Sequence, residues 1–193
     1  MKILDDKFYK KTLRHDRQRS YAIISKYILD TLKPDLNSVV DYGCGAGWFL
    51  YYFKKFGIKD LLGIEPNKQM LSVLDKSIKN NIKFLDLRKE IDLNRVFDIA
   101  MNIEVAEHID KEFADIIIQN ITRHTDFLVF SAATPGQRGH GHVNEQPFEY
   151  WQTKLEKCSF YCDKEATSNF RNRLKKKKVK KWYIRNISVF ERV

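Results

Sequence analysis

The fold of this chain is decided by the stretch Ser38-Val39-Val40-Asp41-Tyr42-Gly43-Cys44-Gly45-Ala46-Gly47-Trp48, a β-branched strand that runs through a glycine loop into a helix. The three glycines allow the backbone to turn tightly and to approach a ligand without a Cβ in the way. The N–H groups at the start of the next helix favour a carboxylate or a phosphate. The stretch therefore predicts a strand–loop–helix unit that binds the anionic part of a ligand.

Short apolar runs alternate with helical patterns on both sides of this unit. The predicted helices cover residues 16–32, 48–56, 68–78, 113–121 and 147–157. The predicted strands cover residues 38–42, 61–64, 82–85, 96–101 and 127–131. Such alternation implies a parallel sheet with helices on both faces, and these sheets bind ligands at the carboxyl ends of their strands. We therefore expect an α/β fold that is Rossmann-like, doubly wound and mostly parallel.

The pattern changes after Ser131. Residues 132–146 form a loop rich in Gly, Pro and His, and two β-like stretches follow at 166–170 and 182–190. A basic run, residues 175–181, lies between them. We interpret the two stretches as a C-terminal antiparallel hairpin that completes a seven-stranded sheet.

Length and composition indicate one globular domain over residues 1–193, with an N-terminal helical segment of about 1–35. Hydrophobic residues make up 43% of the chain and charged residues 31%, which excludes a disordered chain. No apolar run approaches the ~18 residues that a membrane span needs, and the first residues show no secretory signal. The three cysteines are an odd number, which argues against a disulfide framework. We expect no membrane span and a cytoplasmic location.

Acidic side chains follow the predicted strands of the sheet. Glu65 ends the second strand, about 20 residues after the glycine loop, where an acidic side chain would bind ribose hydroxyls. Asp86 follows the third strand and is predicted to face an adenine. A nicotinamide-binding domain has a similar layout, but it prefers Gly-x-Gly-x-x-Gly. Trp48 stands here where that pattern requires glycine.

The motif Asp-x-Gly-Cys-Gly-x-Gly closely resembles motif I of class I S-adenosylmethionine-dependent methyltransferases, and the resemblance covers nearly the whole chain. It implies S-adenosyl-L-methionine as the cofactor. The resemblance assigns the following residues to cofactor binding: Asp41, Gly43, Gly45, Gly47, Glu65, Asp86 and Asn102.

A candidate metal site follows the fourth strand. Glu104, Glu107 and His108 have the spacing i, i+3, i+4, which on one helical turn places three side chains on one face. Two carboxylates and an imidazole are suitable ligands for a divalent cation, Mg²⁺ or Mn²⁺, the histidine favouring Mn²⁺. The alternative is that these residues only cap or line the pocket.

A second histidine element lies in the loop after the fifth strand, at His140-Gly141-His142. A Glu-x-x-Glu-His motif with a later His resembles the metal site of small-RNA 3′-end 2′-O-methyltransferases, and related clusters occur in quinone-pathway O-methyltransferases. This resemblance implies a fourth ligand from the loop, and Glu107, His108 and His142 as the catalytic residues. His142 is preferred to His140 because His-Val-Asn followed by Glu-Gln-Pro-Phe-Glu-Tyr-Trp, residues 142–151, resembles a recurring segment of a methyltransferase subgroup. The alternative is that both histidines are ordinary loop residues.

Three classes of acceptor remain open. The segments 133–151 and 182–190 resemble small methyltransferases found in glycan-modifying gene sets, which implies O-methylation of a sugar or glycan. Tyr150 and Trp151 either stack on the sugar or anchor their helix in the core. The net charge of +10 and the lysine run favour RNA, although no RNA-binding module is evident. A non-catalytic binding protein is the third alternative, and the intact glycine loop argues against it.

Overall fold

The computed structural model describes residues 15–193 and contains one seven-stranded sheet with helices on both faces. The strands are β1 (Ser38–Tyr42), β2 (Asp60–Ile64), β3 (Ile82–Lys83), β4 (Ile99–Ile103), β5 (Phe127–Ser131), β6 (Phe160–Cys162) and β7 (Ser188–Arg192). The helices are α1 (His15–Tyr27, continued by a π-helical turn, Ile28–Leu32), α2 (Trp48–Lys55), α3 (Ala114–Arg123), α4 (Phe148–Glu156), α5 (Lys164–Lys176) and α6 (Lys181–Asn186). The first part of the helical segment predicted at about 1–35 lies outside the described residues.

The sheet has the strand order β3-β2-β1-β4-β5-β7-β6. Its first five strands are parallel, and β7 runs antiparallel to both β5 and β6. The predicted Rossmann-like, mostly parallel, seven-stranded sheet is therefore confirmed. The predicted antiparallel C-terminal strands are present as β6 and β7, but α5 and α6 lie between them in the chain, so no short turn joins them.

Alternate residues of the central strands face two different hydrophobic clusters, as the period of two of a β-strand requires. Ile99 and Met101 of β4 pack in one cluster with α1, α2, α5 and α6, whereas Ala100 packs in the other with α3 and α4. The neighbouring strand β1 alternates in the same way, through Val39 and Val40. Both faces of the sheet are thus covered, which leaves the carboxyl edge as the place for a ligand. Within the described residues, no helix is long and apolar enough to cross a membrane.

The stretch 166–170 is helical in α5, not extended as predicted. Thr167, Phe170 and Leu174 are buried and recur at spacings of three and four, which is the period of one helix face. The side chain of Asp163 caps this helix by accepting a hydrogen bond of 2.8 Å from the N–H of Ala166. The basic run therefore ends a helix and does not form a hairpin turn.

Three other boundaries also differ from the prediction. The predicted helix 68–78 shortens to a 3₁₀ turn, Lys68–Ser72, because Asp75 accepts a hydrogen bond from the N–H of Ser77 and closes a local turn. Residues 182–186 belong to α6. The fourth strand begins at Ile99, because the carboxylate of Asp98 instead binds backbone N–H groups just before β1.

Candidate functional site

A cavity of about 580 Å³ opens at the carboxyl edge of β1 and β4. The glycine loop forms one wall, and the segment after β4 and the loop after β5 form the others. This is the edge at which the alternation of strands and helices predicts a ligand site. Among the residues predicted for the site, those that line the cavity are Asp41, Gly43, Gly45, Glu104, Glu107, His108, His140 and His142.

The glycine loop is held in a conformation that other residues adopt with strain. Gly43, Gly45 and Gly47 have φ angles of 81°, 53° and 69°, a left-handed region that favours glycine. A Cβ on Gly43 would lie 2.4 Å from a methyl carbon of Val105, and one on Gly47 would lie 2.4 Å from Cδ1 of Ile78. These glycines are therefore required both by the backbone conformation and by close packing.

Glu65 follows β2 and fastens the glycine loop. One carboxylate oxygen accepts a hydrogen bond of 2.9 Å from the N–H of Gly45, and the other accepts one of 2.9 Å from the N–H of Asn67. Burial raises the pKa of Glu65 to about 7, and the two N–H groups partly oppose this rise. Burial, with the nearby charge of Glu65, raises the pKa of Asp41 to about 8. Two carboxyl groups that resist ionisation thus lie together beside the loop, and a cationic ligand would favour their ionised forms.

This pair predicts a pH-dependent stability of the protein without a cofactor. A carboxyl group whose pKa is raised in the folded state contributes its full stabilisation of the fold at pH values below its unfolded pKa. This contribution is lost as the pH rises through the pKa of the folded state. For Asp41 this pH window runs from the ordinary pKa of 3.8 to about 8. We expect the thermal midpoint of Asp41→Asn, relative to the wild type, to rise steadily from pH 5 to pH 8. A midpoint difference that does not vary with pH in a calorimetric series would contradict this.

Four of the predicted cofactor residues do not line the cavity: Gly47, Glu65, Asp86 and Asn102. Gly47 and Glu65 belong to the glycine loop and its support, whereas the other two lie elsewhere. Asp86 forms an ion pair with Arg88 at 2.7 Å, which lowers the pKa of the carboxyl. Asn102 is fully buried, and its amide nitrogen donates a hydrogen bond of 2.9 Å to the carbonyl of Tyr42. Asn102 thereby joins the ends of β4 and β1, a supporting position behind the glycine loop. Direct cofactor contacts by these two residues stay predictions.

Glu104 does not share a helical turn with Glu107 and His108, so that part of the prediction is wrong. Glu104 has a φ of 57°, and only a short 3₁₀ turn, Ala106–His108, follows it. Its carboxylate instead accepts a hydrogen bond of 3.0 Å from the amide of Asn186. Burial raises the pKa of Glu104. The residue lies at the cavity wall but outside the group of side chains that could hold a metal.

Glu107, His108 and His142 do come together, although they lie on separate segments. One ligand atom from each lies within 4.8 Å of the others. The rings of His108 and His142 are 5.0 Å apart between centroids and nearly perpendicular. The N–H groups of Val143 and Asn144 donate to the carbonyl of Glu107, which ties the histidine loop to the segment after β4.

The carboxylate of Glu107 is the least satisfied polar group at the site. Glu107 is 0% exposed, and neither of its oxygens accepts a hydrogen bond. Burial, and next the nearby charge of Glu104, raise the pKa of Glu107 well above its ordinary value, and the nearby backbone N–H groups of Glu107 and Ala133 oppose this rise only in part. A buried carboxylate without partners is costly unless a cation or a proton compensates it. The residues present therefore fit a divalent cation.

Both histidine rings are held by groups outside this trio. Nδ1 of His142 lies 2.7 Å from a carboxylate oxygen of Glu145, and Nδ1 of His108 lies 3.2 Å from the carbonyl oxygen of Gly141. If each Nδ1 donates in these contacts, each Nε2 carries the lone pair that a metal needs. Metal-binding histidines are commonly oriented in this way. Burial lowers the pKa of His108 to about 4, so its ring is neutral at physiological pH.

Several residues at the cavity were missed by the sequence analysis. Gln137 and Asn186 hold Glu104, and Glu145 holds His142. Trp182 and Trp48 add aromatic surface to the cavity wall. The spacing His-x-x-Glu from His142 could have indicated Glu145. Glu104 and Asn186 are far apart in the chain, so no local pattern predicts their contact. Of the two alternatives for Trp151, the structure agrees with the anchor in the core, because the side chain is buried and packs against Phe130.

A glycine loop between β1 and α2, an acidic residue after β2 and the strand order of this sheet define a Rossmann-like protein of the methyltransferase type. Comparison with protein families agrees, because a model described as a methyltransferase domain matches residues 13–171. The chain belongs to this methyltransferase domain family.

Known relatives and solved structures share this fold. The ribosomal protein L11 methyltransferase of Thermotoga maritima is 26% identical over 69% of this chain and 50% of its own length. That of Thermotoga petrophila is 26% identical over 56% of this chain and 41% of its own length. The chain thus spans about half the length of the curated relatives it matches. The sugar N-methyltransferase KedS8 from Streptoalloteichus has a TM-score of 0.70 at 15% identity and covers 100% of this chain and 96% of its own. CalS10 from Micromonospora echinaspora, an amino pentose methyltransferase, has a TM-score of 0.70 at 15% identity, with 100% of both chains covered.

Proposed function

We propose that this protein is an S-adenosylmethionine-dependent O-methyltransferase that uses a divalent cation to methylate a hydroxyl of a sugar or glycan. The observation that carries the proposal is the buried, unpartnered carboxylate of Glu107 beside His108 and His142. This trio lines the same cavity as the glycine loop. Family membership supports the cofactor, and the solved sugar methyltransferases of the same fold support the acceptor.

The glycine loop and Glu65 are the residues that would hold the cofactor, which supplies an electrophilic methyl group when it is bound. The loop presents backbone N–H groups at the start of α2, where a carboxylate is favoured. Asp41 lines the cavity beside the loop, and Glu65 lies next to it, bonded to the N–H of Gly45. We assign these two carboxyl groups to the ribose or the positive charge of the cofactor.

Glu107, His108 and His142 are the residues that would hold the cation, which lowers the pKa of a bound hydroxyl when present. The fixed histidine rings orient the acceptor relative to the glycine loop, and orientation supplies much of the rate in a displacement. Glu104 lies at the same wall, outside the trio, and burial raises its pKa. This makes its carboxylate a suitable group to receive the proton of the hydroxyl.

The acceptor wall is aromatic, with Tyr21, Trp48, Trp182 and Tyr183 lining the cavity. Aromatic faces favour the apolar face of a sugar ring. The basic run, by contrast, lies at the end of α5 on the exposed surface and does not line this cavity. A sugar therefore fits the cavity better than RNA does, and RNA remains the weaker alternative.

Two measurements test the proposal. Calorimetric titration should detect S-adenosylmethionine and its demethylated product, and tight binding of a nicotinamide nucleotide in their place would overturn the class of enzyme. Labelled methyl transfer to a panel of sugars should then stop in EDTA and resume with Mn²⁺ or Mg²⁺. Turnover that EDTA does not change, with an amino sugar as acceptor, would favour N-methylation and sink the metal-assisted mechanism.

Gly139 offers a separate test of the histidine loop. A Cβ on Gly139 would lie 2.1 Å from Nε2 of His142, so the ring must move. We expect Gly139→Ala to weaken Mn²⁺ binding by about 10-fold or more, as loss of an orienting group does at metal sites. The measurement is calorimetric titration with MnCl₂, with His142→Ala as the comparison. Unchanged affinity in Gly139→Ala would show that His142 is not a ligand, provided that the thermal midpoint in EDTA matches that of the wild type.

A further inference from the structure

A second cavity, of about 490 Å³, lies at the same edge of the sheet beside β5 and β7. Phe130 of β5 pairs with Ser188 of β7 at this end, and both residues line the cavity. Phe148 and Trp151 of α4 form an apolar wall. The cavity therefore has room for an organic group, and it is separate from the cavity that holds the glycine loop.

The second cavity is positively charged. Lys164, Arg171 and Arg185 line it, and no acidic side chain lines it among the described residues. Arg171 is half-buried and donates to the carbonyl of Ile187 and to the hydroxyl of Ser188, so its guanidinium is fixed at the wall. Burial, the main cause, lowers the pKa of Arg171. Three cations without a carboxylate at a partly apolar cavity favour an anionic ligand.

Asn186 connects the two cavities. It lines the second cavity, and its amide nitrogen donates hydrogen bonds of 3.0 Å to Glu104 and 3.0 Å to Gln137, which both line the first. The side-chain oxygen of Asn186 is buried and has no hydrogen-bond partner. An unsatisfied buried acceptor calls for a donor, such as a hydroxyl of a ligand that bridges the two cavities.

From this arrangement we propose that the second cavity binds an anionic group, a carboxylate or a phosphate ester, carried by the acceptor whose hydroxyl is methylated. The inference rests on the proposed function, and it assigns the substrate class as an acidic or phosphorylated sugar. Lys164, Arg171 and Arg185 bind the anionic group, and the aromatic wall contacts the uncharged part. Asn186 lies between this group and the reacting hydroxyl.

The test compares three ligands in calorimetric titrations of the intact chain: glucose 6-phosphate, inorganic phosphate and glucose. The informative variant is Lys164→Gln/Arg185→Gln. Its matched control is Lys175→Gln/Lys176→Gln, which removes two exposed charges at the end of α5, outside the cavity. We expect the first variant to bind glucose 6-phosphate at least about 10-fold more weakly than the wild type, because contacts with charged groups are lost. The control should lose no more than about twofold, the size expected for exposed charges.

Binding of glucose 6-phosphate that exceeds binding of both glucose and inorganic phosphate supports an anionic group on the acceptor. Equal losses of affinity in the variant and its control would overturn the proposal, because they would show that only the net positive charge of the protein affects binding. Inorganic phosphate that binds more tightly than the sugar phosphate would also overturn it, in favour of a free anion. The proposed function is tested separately, by titration with S-adenosylmethionine. Absence of binding there would refute the proposed function, whereas the sugar titrations refute only the anion site, so the two failures are distinguishable.

Discussion

Glu107→Gln is expected to reduce methyl transfer by about 100-fold or more, since loss of even an outer group at a metal site costs 10- to 100-fold. The same variant should be more stable than the wild type when no metal is present. The buried carboxylate has a pKa well above its ordinary value, so its stabilising effect fades as the pH rises above the unfolded value of about 4.5. Glutamine does not titrate, and we therefore expect a gain of about 1–3 kcal/mol at pH 8.

Chemical denaturation in EDTA at pH 5 and pH 8, beside labelled methyl transfer with Mn²⁺, measures both effects. Glu112→Gln is the control, because it makes the same chemical change at an exposed position nearby. Added Mn²⁺ should stabilise the wild type and not Glu107→Gln. A variant that is less stable than the wild type in EDTA at pH 8, yet fully active, would remove the basis for a metal at this position.

Glu65→Gln is expected to weaken S-adenosylmethionine binding by about 10- to 100-fold, the loss typical of a hydrogen bond to a charged group. The carboxylate accepts from the N–H groups of Gly45 and Asn67, one on each oxygen. Glutamine keeps one acceptor oxygen but directs its NH₂ group at the other backbone N–H, so one of the two hydrogen bonds is lost and the glycine loop is held less firmly. The side chain also loses the charge available to the cofactor.

The measurement is calorimetric titration with S-adenosylmethionine and with its demethylated product. Glu90→Gln serves as the matched control, because it makes the same chemical change at an exposed position, where Glu90 pairs with Arg123, and its loss should change affinity by no more than about threefold. Equal losses in the two variants would show that the effect of Glu65→Gln is not specific to the cofactor site. No loss in Glu65→Gln would remove Glu65 from the cofactor site.

The sequence correctly predicts those parts of the fold that depend on neighbouring residues in the chain. The strand, glycine loop and helix around Asp41 to Lys55 follow from β-branched residues, glycines and a helical apolar pattern that are contiguous in the chain. Residues 166–170 were misassigned because five residues are too few to separate a period of two from a period of 3.6. Adding Asp163 as a helix cap and Leu174 as a further buried position would have indicated the helix.

The candidate metal site shows where a spacing argument fails. The spacing of Glu104, Glu107 and His108 suggested one helical turn, yet Glu104 has a left-handed backbone and lies apart from the other two. His142 joins Glu107 and His108 through backbone hydrogen bonds between distant segments, which no local pattern reveals. The resemblance to known metal sites, not the period, had suggested that histidine.

The position of β7 between β5 and β6 has a consequence for biosynthesis. A ribosome makes β6 before β7, so β6 has no partner in the sheet until residues 188–192 have been translated. Trp182 and Tyr183, which line the first cavity, and Asn186, which binds Glu104, also emerge late, long after the glycine loop. A nascent chain can therefore form the glycine loop and its strands early, but the opposite wall of the cavity is assembled only when the last strand has inserted.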